Sequence, residues 1–179
     1  MKILSLVRHT PPAIAPGICY GRLEVELGSD FARDALAVKD WLQAADKIVS
    51  SPATRTLRLA HFLARELSCE CSEDTRLLEM DFGAWEGRAW NDIARAELDA
   101  WSADVLHYTP PAGESAAHMM QRVQLALDAV MAMPQRHIVL VAHGGTLRAI
   151  LALLGGIELQ QTLGWQIEFG AVLQIKLDV

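Results

Sequence analysis

The sequence predicts an α/β protein whose mainly parallel sheet is covered by helices on both faces, a three-layer α/β/α sandwich. Three observations lead to this prediction. Short apolar segments typical of strands alternate with longer segments of helical spacing along the chain. The hydrophobic content of 51% and the length of 179 residues supply one closed core. No linker, low-complexity segment or repeat divides the chain, so residues 1–179 are predicted to form a single domain.

The first strand and the first helix are separated by a long irregular loop. Apolar residues over Ile3–Val7 predict a short buried strand. The loop that follows runs to Gly28, and its prolines and glycines interrupt regular structure. Apolar residues then recur at helical spacing and predict a helix over Phe31–Ala45.

A second strand and helix follow directly. Lys47–Ser50 is a short apolar segment typical of a strand. Ser51 and Pro52 form a typical helix start, with the serine as cap and the proline at the first helical position. The helix is predicted to run to about Leu67.

The remainder of the chain continues the alternation. The stretch after Leu67 predicts a short strand and then a loop that carries aromatic residues and glycine. The later predicted elements are a helix over Trp90–Trp101, a break over Tyr108–Gly113, a helix over Glu114–Met133 stopped by Pro134, a strand over His137–Ala142, a helix over Thr146–Leu154 and a strand over Ala171–Leu177.

Charge and hydropathy limit the partners. The net charge of −6 argues against non-specific nucleic-acid binding, which needs a basic surface, although a local arginine cluster can still bind a small anion. The longest apolar run, Ala149–Ile157, falls far short of the roughly 20 residues of a membrane span. The apolar run before Arg8 is too short for a signal peptide. We therefore expect a cytoplasmic protein that binds neither membrane nor nucleic acid; the sequence leaves open whether it forms a homo-oligomer.

The three cysteines do not predict a disulfide framework. Their number is odd, and Cys69 and Cys71 are only two positions apart, which favours a reducing compartment. A second Cys/His pair with zinc-ribbon spacing is missing from the sequence. Small buried side chains are therefore the favoured interpretation, and no metal site is predicted.

Two predicted strands end in histidine. The first strand leads into Arg8 and His9, and the strand over His137–Ala142 leads into His143. Ligands of open α/β sheets bind at the carboxyl ends of the strands. If these two strands are parallel neighbours, about 4.8 Å apart, the two histidines face each other across a crevice.

Two arginines indicate which ligand such a crevice would bind. Arg8 adjoins His9, and Arg55 lies in the first turn of the helix after Ser51, where free N–H groups favour an anion. Guanidinium groups bind phosphoryl oxygens in pairs, and a neutral imidazole is a nucleophile near pH 7. The combination points to covalent phosphoryl transfer through a phosphohistidine.

Four segments together resemble the histidine phosphatase superfamily, which includes the cofactor-dependent phosphoglycerate mutases. They are LVRHT, SSPATRTLRLA, LLEMDFGAWEG and VAHGGTLR, and they occur in the order and approximate spacing of that family. The resemblance implies a phosphoglycerate mutase-like fold, a small phosphorylated substrate, and no requirement for a metal or other cofactor.

The resemblance also implies roles for individual residues. His9 would be the nucleophile, and Glu79 would protonate the leaving oxygen and later activate water. The phosphoryl oxygens would be held by Arg8, Arg55 and His143, and the substrate site would be lined by Tyr20, Gly21, Gly144 and Gly145. Thr10 stands where the family usually has glycine, and its hydroxyl is a further candidate contact to the substrate.

Within the superfamily, RHTPPAIAPGICYGRLEVEL most resembles bacterial alpha-ribazole phosphatases of cobalamin biosynthesis. These enzymes remove the 5′-phosphate from alpha-ribazole phosphate or from the assembled cobalamin phosphate. The alternatives are a broad-specificity phosphatase and a mutase, which is disfavoured because the region 87–113 has only Arg88 and Arg95 as basic residues. A non-catalytic phosphoester-binding protein is disfavoured because His9, Glu79 and His143 are all present.

Several other residues allow two interpretations. Trp85, Trp90 and Trp101 would either stack on an aromatic leaving group or, more commonly for tryptophans at helical spacing, pack in the core. Glu114 and Ser115 would either contact substrate or begin a helix. We expect Arg148 to form a local salt bridge. Structural or exposed positions are expected for His61, His107, His118 and His137.

Overall fold

The computed structural model describes residues 1–178. Its strands form one five-stranded sheet in the order β3-β2-β4-β1-β5. Four strands are parallel, and β5 pairs antiparallel with β1. The predicted mainly parallel sheet is thus confirmed. The strands are β1 Lys2–Arg8, β2 Lys47–Ser50, β3 Glu70–Glu73, β4 His137–Ala142 and β5 Val172–Leu177.

Helices cover both faces of the sheet. They are α1 Phe31–Leu42, α2 Thr54–Leu67, α3 Arg95–Ala103, α4 Ala116–Met131, α5 Gly144–Gly155 and α6 Leu159–Thr162. Helices α1 and α2 pack on one face, and α4 and α5 pack on the other. This arrangement confirms the three-layer prediction. Three short 3-10 turns, Thr75–Leu77, Gly83–Trp85 and Trp90–Asp92, lie between β3 and α3.

Strand β4 lies between β2 and β1 and is buried on both faces. Its side chains alternate: Ile138 and Leu140 pack in the core under α4 and α5, and Val139 and Val141 pack under α1 and α2. A strand covered on both faces has no polar side, which explains the unbroken apolar run IVLVA after His137.

A third, smaller core lies outside the sheet layers, mainly in the connection from β3 to α4 and partly in the loop after β1. It contains the fully buried Trp85 together with Cys19 and Ile93, and Trp90 and Trp101 pack against it. The Trp85 indole N–H donates to Glu97 Oε2 at 2.5 Å. Trp85 is therefore a core residue, as its commoner interpretation predicts.

The predicted helix over Trp90–Trp101 is confirmed only in its second part, where α3 covers Arg95–Ala103, and is wrong before Arg95. The chain forms a 3-10 turn and then leaves helical geometry at Ile93 and Ala94, whose ψ angles are 137° and 128°. Ile93 is buried in the aromatic core, which requires this extended step before α3 begins at Arg95. Tertiary packing here overrides helical spacing in the sequence.

The predicted start of the second helix is also wrong. Helix α2 begins at Thr54 after Ala53, two residues beyond Pro52, and Ser51 is not its cap. The Ser51 hydroxyl instead contacts His143. Two further helices are shorter than predicted, since α1 ends at Leu42 and α4 begins after Ser115.

The C-terminal helices also differ in extent. Helix α5 begins at Gly144, two residues before its predicted start. The four-residue α6 was not predicted, because a single turn shows no periodicity; its reciprocal Glu158–Gln161 capping contacts are its only local signal. Within residues 1–178, no helix combines the length and the apolar character needed to cross a membrane.

Candidate active site

The register of β1 and β4 brings the two strand-end histidines together. Arg8 is paired with Ala142, so His9 and His143 follow as neighbours at the carboxyl edge of the sheet. Their ring centroids are 5.3 Å apart, and each residue is 1% exposed. The crevice predicted from the sequence is present.

His9 is oriented by the backbone of the next residue. Its Nδ1 lies 2.8 Å from the Thr10 carbonyl oxygen, which can only accept, so Nδ1 carries the hydrogen and Nε2 keeps its lone pair. Burial lowers the pKa of His9 to about 3. The hydrogen bond to Thr10 raises this pKa, and the charges of Arg55 and Arg8 lower it further. A neutral imidazole with a free Nε2 is a competent nucleophile.

His143 precedes α5 and contacts a serine. Its Nε2 lies 2.8 Å from Ser51 Oγ, and burial, followed by the charges of His9 and Arg55, lowers its pKa well below the usual value. Ser51, which the sequence predicts to be a helix cap, has this contact instead, and the contact itself is not predicted. Its place directly after β2, at the same carboxyl edge, was the available signal.

Arg55 is a fully buried cation at the second position of α2. It donates to the carbonyl oxygens of Gly21 at 2.6 Å and Leu23 at 3.0 Å. Within residues 1–178 it forms no ion pair. Burial lowers its pKa, and the neighbouring Tyr20 and Glu79 oppose that effect. A buried cation without an anionic partner is costly, so this position favours binding of an anion.

Arg8 is held by the segment after α6. Its Nη1 donates to the Ile167 carbonyl oxygen at 2.6 Å, and its Cζ lies 3.8 Å from the centroid of the Phe169 ring. The same ring is 5.4 Å from the His9 ring centroid. Phe169 thus forms a wall of the site, and no sequence motif pointed to it.

Glu79 reaches the site from the loop after β3. Its Oε2 accepts the Gly145 N–H at 2.9 Å, and its Oε1 accepts those of Thr146 at 3.1 Å and Met80 at 3.0 Å. The amino end of α5 therefore holds the carboxylate. A Cβ at position 145 would lie 2.5 Å from Glu79 Oε1, so this contact requires glycine.

Two of the five predicted substrate-binding residues line a pocket of about 120 Å³ that also contains His9. Tyr20 and Gly21 line it, and the Arg55 Cζ lies 5.3 Å from the Tyr20 ring centroid. Gly21 has a φ of +27°, and a Cβ there would meet the Met80 carbonyl oxygen at 2.6 Å. Two further predicted residues, Gly144 and Thr10, are not among those that line the pocket.

Gly144 and Thr10 support the site from below the pocket. A Cβ at position 144 would lie 3.5 Å from the Arg8 guanidinium, an ordinary van der Waals distance, so Gly144 adjoins Arg8 without being required by space. Thr10 contributes the carbonyl that orients His9, and its hydroxyl is buried without a protein partner among the described residues. Gly145 lines a different, neighbouring pocket.

That second pocket has a volume of about 220 Å³ and is mainly apolar. It shares Glu79 and Phe82 with the pocket above His9. Its other walls are Met80, Trp101, Val105, Ala116, Met119, Gly145, Arg148, Leu159 and Leu163. An apolar space thus lies directly beside the candidate acid.

The structure shows the contacts of three residues for which the sequence allows two roles, and Arg148 and Glu114 differ from the expectation. Arg148 forms no salt bridge within residues 1–178; it donates to the Trp165 carbonyl oxygen at 2.9 Å and lines the apolar pocket. Ser115 caps α4, because its Oγ accepts the His118 N–H at 3.3 Å. Glu114 does not cap the helix and instead binds two arginines, Arg22 and Arg122.

The site collects buried polar atoms that have no protein partner. In the described part of the chain these include Arg8 Nε, Arg55 Nε, His143 Nδ1 and Thr10 Oγ1. Buried donors are normally paired, and each unpaired one needs an explanation. Two guanidinium groups with free donors around a nucleophilic imidazole fit a tetrahedral phosphoryl group.

Comparisons with known proteins agree with this chemistry. The sequence pattern of the histidine phosphatase superfamily (branch 1) matches residues 4–178. A Hydrogenobacter thermophilus protein that carries the name phosphoserine phosphatase 2 is 32% identical, over 99% of this chain and 91% of its own length.

Solved structures share the fold over nearly the whole chain. A mycobacterial glucosyl-3-phosphoglycerate phosphatase has a TM-score of 0.85 at 27% identity, covering 98% of this chain and 93% of its own. The alpha-ribazole phosphatase of Shigella flexneri has a TM-score of 0.89 at 23% identity, covering 98% and 91%. At the latter identity the likeness concerns the fold alone.

Proposed function

Since this chain belongs to the histidine phosphatase superfamily and is a phosphatase, we propose that it hydrolyses phosphate monoesters through a phosphohistidine on His9. One observation carries the proposal: a neutral His9 with a free Nε2 lies among buried guanidinium and imidazole donors that lack protein partners. A site built only for binding would have no need for a nitrogen lone pair without a partner at its centre.

In the first step, His9 Nε2 attacks the phosphorus in line with the ester oxygen. The N–P bond forms, the P–O ester bond breaks, and the leaving oxygen takes a proton from Glu79. The three equatorial oxygens are stabilised by Arg8, Arg55 and His143, whose unpaired nitrogens point to this role.

In the second step, the Glu79 carboxylate removes a proton from water. The water oxygen attacks phosphorus, the N–P bond breaks, and inorganic phosphate leaves with His9 neutral again. Glu79 ends this step protonated and ready for the next ester. The same side chain thus serves as acid and then as base.

Replacing the nucleophile tests this mechanism. The variant His9→Ala should lose turnover of an aryl phosphate by about 10⁵-fold or more, because the nucleophile that forms the phosphoenzyme is removed. Wild-type turnover should persist in a chelator, as the family resemblance implies. An active His9→Ala protein, measured by phosphate release, would contradict the covalent route.

For the substrate we propose alpha-ribazole 5′-phosphate, whose leaving group carries a benzimidazole. Support comes from the apolar pocket beside Glu79, whose volume of about 220 Å³ exceeds the ~150 Å³ of an apolar cavity that binds benzene. The volume leaves room for a two-ring base, from which the ribose would bridge to the phosphate at His9.

Two alternatives, a mutase reaction and hydrolysis of phosphoserine, require charged groups near the leaving group, and few such groups lie around the apolar pocket. A phosphoglycerate mutase must hold a second anion, but Arg95 pairs with Asp99 and Arg88 donates to the Asp92 carbonyl oxygen. Phosphoserine, suggested by the name of the Hydrogenobacter relative, has a zwitterionic leaving group. Arg148 is the one cationic wall of the apolar pocket that could bind its carboxylate.

A substrate panel separates these possibilities. We expect kcat/KM for alpha-ribazole 5′-phosphate to exceed that for phosphoserine, 3-phosphoglycerate, glucose 6-phosphate and AMP by about 10-fold or more, a difference that apolar contacts can supply. Leu163→Ser should reduce this preference, because Leu163 lines the apolar pocket, and Leu125→Ser, at an exposed position of α4, is the matched control. A preference for phosphoserine or a sugar phosphate would overturn the substrate proposal and leave the mechanism intact.

A further inference from the structure

The segment Gly21–Leu23 contacts both halves of the candidate catalytic machinery. The carbonyl oxygens of its first and last residues accept the two hydrogen bonds of Arg55, at 2.6 and 3.0 Å. Arg22 lies between these two residues, and its side chain contacts Glu79 instead of Arg55. The Arg22 Nε donates to the Glu79 carbonyl oxygen at 3.2 Å. Three consecutive residues therefore link the phosphate-binding arginine to the candidate acid.

A second arginine fixes the same carbonyl from the side of α4. Arg122 Nη2 donates to the Glu79 carbonyl oxygen at 3.0 Å, and its Nη1 donates to those of Leu78 at 2.6 Å and Arg76 at 2.7 Å. The loop that carries Glu79 has no strand partner here, so these guanidinium bonds define its path.

Glu114 joins the two arginines. Its Oε1 accepts from Arg22 at 3.0 Å and also contacts Arg122, and only 15% of its side chain is exposed. Burial disfavours its charge, but the hydrogen bond and charge of Arg122, with that of Arg22, lower the pKa of Glu114 below its usual value. The cluster is therefore a charged unit built around one backbone carbonyl.

We propose that Arg22, with Arg122 and Glu114, is a positioning cluster that sets the distance between Glu79 and the phosphate held by Arg55. The inference rests on the proposed function, because it requires Glu79 to transfer the proton. The Glu79 side chain is fixed at both ends: the arginines hold its backbone, and the α5 amides hold its carboxylate. Proton transfer needs hydrogen-bond contact, and a 1 Å displacement costs about 10²-fold in rate.

The test compares two phosphate esters in the full-length protein. The leaving group of p-nitrophenyl phosphate departs as an anion and needs no acid, whereas an alkyl phosphate needs one. Rapid-quench measurement of phosphoenzyme formation isolates the step that releases the leaving group, and the inhibition constant of vanadate reports on the phosphate-binding groups alone.

We expect Arg22→Ala to slow phosphoenzyme formation from the alkyl phosphate by about 10- to 100-fold. Formation from p-nitrophenyl phosphate and vanadate inhibition should stay unchanged. Arg22→Lys should recover part of the lost rate, because an ammonium can still donate to the Glu79 carbonyl. Glu114→Gln should show the same selective loss, and Arg65→Ala, on the exposed surface of α2, is the control.

The variant Glu79→Gln separates failure of this inference from failure of the proposed function. If Glu79→Gln loses the alkyl ester selectively and Arg22→Ala does not, the positioning cluster is refuted and the function stands. Equal losses on both esters in Arg22→Ala would likewise refute it, since they indicate a general structural role. If Glu79→Gln itself shows no selectivity, the assignment of the acid fails, and the inference fails with it. Should Arg22→Ala not fold, Arg22→Lys and Glu114→Gln carry the same comparison.

Discussion

The two sides of the active site are built in different ways. The side that we propose binds phosphate, here called the phosphate side, consists of residues at the ends of regular elements: His9 after β1, His143 after β4, and Arg55 in the first turn of α2. The leaving-group side consists of loops, 3-10 turns and short helices between β3 and α4 and after α5. The first side is fixed by sheet register, and the second by side-chain packing and guanidinium bonds.

This structural difference suggests that the phosphate side determines the reaction and that the leaving-group side determines which substrate is accepted. Strand register cannot slip without moving every side chain of a buried strand to the wrong face, so the nucleophile and its donors are strongly constrained. Loops tolerate change far more readily. We therefore expect substitutions on the phosphate side to affect all substrates equally, and those on the leaving-group side to discriminate among them.

The largest expected effect is on the phosphate side. Arg55→Met should lower kcat/KM by about 10³-fold or more for alkyl and aryl phosphates alike, because a phosphate-binding cation is lost. It should change thermal stability only modestly, because removal of a buried cation without an ion pair offsets the loss of its hydrogen bonds to the Gly21 and Leu23 carbonyl oxygens. Kinetics on both esters and a thermal melt check this, with Arg65→Met as the control. A strongly destabilised variant would mean that Arg55 serves the fold rather than the phosphate.

A smaller effect, limited to alkyl phosphates, is expected at Gly145, which lies between the phosphate side and the leaving-group side. Gly145→Ala places a Cβ 2.5 Å from Glu79 Oε1 and should displace the carboxylate. Alkyl phosphate hydrolysis should fall by about 10²-fold, and phosphoenzyme formation from p-nitrophenyl phosphate should change little. Gly164→Ala, where a Cβ meets nothing within 4 Å, is the matched control. Equal losses on both esters would place Gly145 on the phosphate side.

The smallest effect concerns stability against pH. Burial lowers the pKa of His9 in the folded protein to about 3, against about 6.5 in the unfolded chain, so the unfolded chain binds the additional proton between these pH values. The contribution of His9 to stability is present above pH 6.5 and is lost as the pH falls towards 3. Replacement by Gln should flatten the acid side of a plot of melting temperature against pH. An unchanged slope would mean that His9 is protonated or accessible in the folded protein.

The phosphate side was largely predictable from the sequence, because apolar strands that end in histidine and arginine mark one sheet edge. His9, His143, Arg8 and Arg55 meet there as expected. Ser51 was assigned to the wrong role, because serine before proline is also a common helix start. Its contact with His143 depends on the order of strands that are distant in sequence.

The leaving-group side was not predictable in the same way. Phe169 and Arg22 reach the site through loops, which leave no periodic pattern in the sequence. The helix expected over Trp90–Trp101 is interrupted because Ile93 enters a small aromatic core. Glu79 was identified through resemblance alone, and its place depends on contacts to α4 and α5 that local sequence does not encode.

The central claim is that His9 Nε2 carries the phosphoryl group during turnover. The most direct measurement is a denaturing quench during turnover of an aryl phosphate, followed by mapping of the phosphorylated residue by mass spectrometry at neutral pH. We predict one phosphohistidine, at His9, that is absent from His9→Ala and accumulates in Glu79→Gln, because water is no longer activated. Turnover without a phosphoenzyme, or a phosphoryl group on any other residue, would contradict the account.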